Sequence, residues 1–178
     1  MEIRRAGFED ATEIAQIHVA GARQTYAEIF TAEYLAGLSV EDRARRWTEE
    51  GKGALVSDDP AVAVFAAFSD GVMIGFADAG PARDSEVPNC AELYAISVAP
   101  AWTGKGVGRA LPGACLEHAK GRGFTAMLLR VLSRNASARA FYERMGGEAD
   151  LAAEKAIAIG GTTEKVIVYR WALLDKLA

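Results

Sequence analysis

A glycine-rich turn between a strand-like segment and a helix-like one constrains this chain more than any other feature. It reads Trp102-Thr103-Gly104-Lys105-Gly106-Val107-Gly108-Arg109. Ahead of it, Ala91-Glu92-Leu93-Tyr94-Ala95-Ile96-Ser97-Val98 is rich in β-branched and aromatic residues and is closed by Pro100. Behind it, Ala110 to Ala119 reads as a helix. A glycine turn at such a junction lets backbone N–H groups converge on an anion at the positive end of the helix. The guest is expected to carry phosphate, and the frame is expected to be α/β.

Two phosphate-binding patterns fail on specific residues. A P-loop needs Ser or Thr after its Gly-Lys pair, and Gly104-Lys105 is followed by Gly106. A dinucleotide fingerprint takes its first two glycines from Gly104 and Gly106, but its third position falls on Arg109. Starting from Gly106, that position falls on Leu111. The following strand, near Ala126 to Val131, also ends without the acidic residue that would hold a ribose.

A third pattern fits. The turn resembles the acetyl-coenzyme A signature of the GNAT N-acetyltransferase family, [QR]-x-x-G-x-[GA], with Thr103 standing where the pattern has Gln or Arg. Downstream, Asn135-Ala136-Ser137-Ala138-Arg139-Ala140-Phe141-Tyr142-Glu143-Arg144-Met145-Gly146 resembles the family's N-x-x-A-x-x-F-Y-x-x-x-G segment. Asn135 suits a helix N-cap, and Gly146 with Gly147 a helix stop. Helical spacing places Ala138, Phe141, Tyr142 and Met145 on one face.

The resemblance implies the fold and the site. It implies a GNAT fold, a seven-stranded mixed, twisted sheet with about four helices on both faces, in one domain over residues 1–178. It implies acetyl-coenzyme A as co-substrate and direct attack by a primary amine of a small molecule or peptide. The alternative is a catalytically silent coenzyme A-binding or sensing module on the same fold. Cofactor contacts are carried over to Ile96 and Val98 for the pantetheine arm, and to Thr103, Gly104, Lys105, Gly106, Val107, Gly108 and Arg109 for the pyrophosphate. Asn135 is expected beside the pantetheine, and Tyr142 as the general acid that protonates the leaving thiolate. Glu92, at the head of the thioester strand, is the expected general base, facing the amine side, with Tyr94 and Asp78 as substitutes. Tyr26 and Phe30, with Glu28, Tyr34 and the strand pair around Gly160, are expected to shape the acceptor site.

The rest of the sequence bounds these expectations. A net charge of −4 argues against a nucleic-acid partner, which favours a basic patch. The two cysteines, Cys90 and Cys115, sit in apolar segments and read as buried small hydrophobes. His18 and His118 lie outside any metal-ligand spacing, so no metal is expected. No signal peptide is read in the N-terminal residues, and Ala61 to Phe68, the longest apolar run, is too short to span a bilayer. A cytoplasmic protein with no membrane partner is expected, and dimerisation through the last strands is left open.

Along the chain, strands are expected over Met1–Arg5, 61–68, 72–78, around 95 and 129, over 148–159 and over 165–173. Asp10 is expected to cap a first helix, and Ser39 a second over 40–50. The stretch 22–38 reads as irregular or broken helix. Asp70-Gly71 signals a hairpin. Pro112, inside the helix after the glycine turn, is expected to kink that helix or push its start downstream.

Overall fold

Seven strands pair into one mixed sheet among the described residues. The computed structural model describes residues 1–171. The chain runs through β1 (Glu2–Arg5), α1 (Ala11–Thr25), α2 (Ala32–Ala36), α3 (Val40–Thr48), β2 (Ala63–Ser69), β3 (Val72–Pro81) and β4 (Cys90–Val98). It continues through α4 (Val107–Gly121), β5 (Ala126–Leu132), α5 (Ala136–Arg144), β6 (Glu148–Ile159) and β7 (Thr162–Trp171). The sheet order is β1-β2-β3-β4-β5-β7-β6. Among the described residues only β4 and β5 pair in parallel, with α4 as their crossover. The end expected for the last strand, Leu173, lies outside the described residues.

Local chemistry explains most boundaries. Asp70 and Gly71 both take positive φ, 50° and 78°, as a two-residue hairpin of matching twist requires. Ser39 accepts the Asp42 N–H at 3.0 Å and starts α3. Thr31 accepts the Tyr34 N–H at 3.2 Å and starts α2, so the stretch expected as broken helix holds a separate short helix. Among the described residues five α-helices therefore stand where about four helices were expected. Asp10 precedes α1 without capping it through its side chain. Its carboxylate is held instead by Arg4, at 2.7 and 2.8 Å, and by the Gly7 N–H.

Pro112 neither delays nor divides α4, which begins at Val107 and runs on to Gly121. The N–H missing at Pro112 would have met the Gly108 carbonyl, so one bond near the helix start is lost. Burial of Val107, Leu111, Cys115, Leu116 and Ala119 along one face outweighs that loss.

Helices cover both faces. On one, α4 and α5 close over Ala77, Ala79, Leu93, Met127 and Leu129. On the other, α1 and α3 bring Ile14 and Trp47 onto Val64, Ala66, Met73 and Phe76. A smaller cluster gathers Ile29, Phe30 and Leu35 against Leu132 and Val166. Cys90 and Cys115 are buried free thiols. No helix among the described residues is long and apolar enough to cross a membrane.

The turn between β6 and β7 touches this third cluster directly. Gly160 has φ +65°, and a Cβ there would collide with the Phe30 ring. Gly160→Ala is therefore expected to lower stability by about 2–4 kcal/mol, combining left-handed strain with overpacking. Urea unfolding of the variant checks this.

Candidate functional site

The sheet opens between β4 and β5. Their pairing runs from Cys90↔Ala126 to Leu93↔Leu129 and stops there. The cause lies in the register with β3, where Asp78 faces Ala95 and Ala79 faces Leu93. Tyr94 is thus an extra residue in β4, a bulge that bends the strand and raises its twist. Beyond it, β4 continues along β3 to the Gly75↔Val98 pair, parted from β5.

Backbone alternation decides which groups line the opening. The Ala99 N–H donates to the Ile74 carbonyl at 2.9 Å, continuing the same register. In an antiparallel ladder, every second residue then faces β3, namely Ser97 and Ala95. Ile96 and Val98 turn their N–H and C=O groups toward the opening. Both expected pantetheine contacts thus lie on a free strand edge.

The glycine turn sits at the open end of that edge. Gly104 and Gly106 take φ +78° and +85°, which side-chain-bearing residues rarely adopt. The Lys105 N–H bonds to Trp102, and those of Arg109 and Ala110 bond to Gly106. Among the described residues, the N–H groups of Gly104, Gly106, Val107 and Gly108 have no acceptor in the chain. Four unpaired donors at the first turn of a helix make an anion site. Lys105 lies over the Trp102 ring at 4.8 Å, while Arg109 and Thr103 are exposed.

The helix α5 lies alongside. Asn135 is buried and caps it, its Oδ1 accepting the Ala138 N–H at 3.1 Å. A Cβ on Gly108 would touch Phe141 at 3.8 Å and Val98 at 3.9 Å, which ties turn, edge and helix together. Tyr142 is 8% exposed and packs with Tyr169 and Trp171 in the cluster that Ile96 and Val98 also join. Burial, with the neighbouring Tyr26, pushes its phenol above the ordinary 10.0, so it holds its proton throughout the neutral range.

Glu92 differs from its expected setting. It does not face an open amine side: its side chain is 1% exposed and held by two arginines. Oε1 meets Arg83 at 2.7 Å and Arg130 at 2.5 Å, and Oε2 accepts the Arg83 backbone N–H at 3.0 Å. Burial alone would raise its pKa, and the hydrogen bonds from Arg83 and Arg130 outweigh burial and hold it below 4.5. Such a carboxylate is a poor proton acceptor. It ties β4 to β5 just where they part, and it anchors the β3–β4 connection.

The aromatic residues of the α1–α2 region close the opposite side. Tyr26 meets Phe30 with tilted rings at 4.8 Å, and Phe30 meets Tyr34 edge-on at 5.3 Å. A cavity of about 660 Å³ lies between Tyr34 and residues 158–163, around the Gly160 turn. Arg134 joins this side to the start of α5. It donates to the Glu28 and Ile29 carbonyls and pairs with the buried Glu164 at 3.1 Å, and its next residue is Asn135. Its place before Asn135 was the one visible signal; Glu164 and the two carbonyls are too distant in sequence to read.

His18 packs against Phe76 and Trp47, and burial pushes its pKa down to about 4. His118 bonds to the Ala61 carbonyl at 3.2 Å. Among the described residues no group of His, Cys, Asp and Glu is placed to hold a metal ion.

The sequence and the fold are similar to those of known proteins. The sequence profile of the acetyltransferase (GNAT) family matches residues 22–147. The chain is 32% identical over 176 residues to the N-acetyltransferase YuaI of Bacillus subtilis (strain 168), covering 98% of this chain and 95% of that one. Among solved structures, the PaiA N-acetyltransferase of Thermoplasma acidophilum in complex with coenzyme A superposes with a TM-score of 0.71 at 22% identity, covering 96% and 98% of the two chains. The ribosomal-protein-alanine N-acetyltransferase of Brucella melitensis gives 0.74 at 23% identity, covering 97% and 100%.

Removing the Glu92 charge leaves two arginines facing an uncharged side chain. Glu92→Gln is expected to lower stability by about 3 kcal/mol, the low end for a broken buried pair because Arg83 reaches solvent. The folded carboxyl is more acidic than its ordinary 4.5, so its contribution is present above that value and lost as pH falls below it. Denaturant unfolding across pH 3–7 should show a gap between wild type and variant that narrows in acid.

Proposed function

The chain belongs to the GNAT acetyltransferase family, and from that premise we propose that it moves the acetyl group of acetyl-coenzyme A directly onto a primary amine of a small molecule or peptide. One observation carries this reading: the free edge of Ile96 and Val98 runs up to the unpaired amides of Gly104, Gly106, Val107 and Gly108. An extended amide-bearing arm can add to the edge as a strand would, and a pyrophosphate can accept from the turn. The glycines let the phosphate oxygens approach the backbone closely. An edge amide directed at the thioester oxygen would stabilise the charge that develops there.

Tyr142 is assigned as the general acid. It carries its proton at neutral pH, meets the Phe141 ring edge-on and belongs to the cluster that Ile96 joins. Asn135 holds the start of α5 against the cofactor arm. Lys105 and Arg109 add positive charge near the phosphates. Tyr26 and Phe30, with Tyr34, form the wall on which the acceptor rests, and the cavity at the Gly160 turn extends it.

A panel of polyamines, aminoglycosides, amino acids and peptide N-termini, with thiol release as readout, tests the reading. Transfer to any of these amines supports it. Tight coenzyme A binding with no transfer to any of them would favour the silent binding module. In Tyr142→Phe the turnover is expected to fall about 100-fold, within the usual range for a general acid. Calorimetric affinity for coenzyme A should stay within about threefold, because the hydroxyl adds little to uniform binding.

A further inference from the structure

Asp78, an expected substitute for Glu92 as general base, is a second buried carboxyl group beside the bulge. Asp78 lies on β3 opposite Ala95, one step from the Tyr94 bulge. Its neighbours Ala77 and Ala79 pack under α4, while Phe76 and Ala95 belong to the cluster under α1. Strand alternation therefore turns Asp78 toward the α1 face. Glu92 also lies on the face opposite Leu93, away from α4. The aromatic residues of the acceptor wall pack on this same face of the sheet, over Leu132 and Val166.

Asp78 and Glu92 have opposite surroundings. Asp78 is 5% exposed, and its Oδ1 is buried with no hydrogen-bond partner. A buried oxygen without a partner gains most from one that arrives from outside the chain. Glu92 has both oxygens occupied by arginine donors.

We propose that Asp78 is the general base of the transfer, taking a proton from the acceptor ammonium through one water molecule. The assignment rests on the reading of the site as an amine acetyltransferase. The ammonium gives one proton toward Asp78 and becomes a neutral amine. Its lone pair forms the new C–N bond, the C–S bond breaks, and the electron pair leaves on sulfur. Tyr142 gives the sulfur a proton, and the second proton shed by nitrogen restores the phenol. The proton on Asp78 passes to solvent, so the products are an amide, a thiol and one released proton.

The surroundings suit that task. Burial pushes the Asp78 carboxyl up to about 7, opposed by the Ala95 backbone amide and by Arg83 and reinforced by Glu92. Tyr94 on β4 and Cys115 on α4 also sense its charge, and burial holds both in their neutral forms. His18 on α1, over Phe76, is neutral above about 4. A base with this value is half ionised at neutral pH, where general-base catalysis is most effective.

Two measurements decide the assignment. In the pH–rate profile, activity should rise as pH increases through about 7, and Asp78→Asn should lose that limb with a roughly 100-fold lower rate. A variant that keeps the wild-type limb would overturn the proposal. Carbon-13 NMR titration of the unliganded wild-type protein needs no acceptor and no variant. The Asp78 carboxyl signal should titrate near 7, and a midpoint below 5 would overturn the assignment. An amine panel with no turnover would overturn the acetyl-transfer reading instead, so the two failures are distinct. The variant should fold: the native carboxyl binds its proton more tightly than the unfolded one, so wild type loses stability as pH rises from 3.8 toward 7, and Asp78→Asn escapes that loss.

Discussion

The extra residue at Tyr94 is the constraint on which the rest of the site depends. A sheet normally satisfies its backbone groups by pairing every strand with its neighbours. Here one additional residue in β4, set against Asp78 and Ala79 of β3, turns the strand away from β5 after four paired positions. The edge thus freed carries Ile96 and Val98, and the glycine turn continues it with four unpaired amides. Glu92, Arg83 and Arg130 hold the two strands together just before they part. Without that latch, the divergence would have no fixed starting point.

Two carboxylates near the bulge acquire different characters from their surroundings alone. Glu92 lies between guanidinium groups, which hold it more acidic than an ordinary carboxyl group. Asp78, almost as buried, has no such partner and ionises only around neutrality. Residue type cannot separate them, since Glu92 stands at the more conspicuous place in the sequence. The difference comes from the β3–β4 connection, which brings Arg83 back over β4, and from β5, which supplies Arg130.

Elements set by short-range chemistry were legible in the sequence. The glycine turn, the Asn135 cap, the Asp70-Gly71 hairpin and the limits of β6 are local signals, and each stands where it was expected. What depends on register or distant partners was not. The Tyr94 bulge exists only through the pairing of β3 with β4. The Glu92 latch needs arginines from two other segments, and Arg134 finds Glu28, Ile29 and Glu164 across the fold. Pro112 was misjudged because its local cost is smaller than the burial that α4 gains against the sheet.

The central claim is that coenzyme A binds in the gap between β4 and β5 and on the amides of the glycine turn. Residue-resolved amide hydrogen exchange, with and without coenzyme A, tests it most directly. The account predicts marked slowing at Ile96, Val98, Gly104, Gly106, Val107 and Gly108, with little change along β1 and β2. Saturating coenzyme A that leaves those six amides exchanging at their free rates would contradict it.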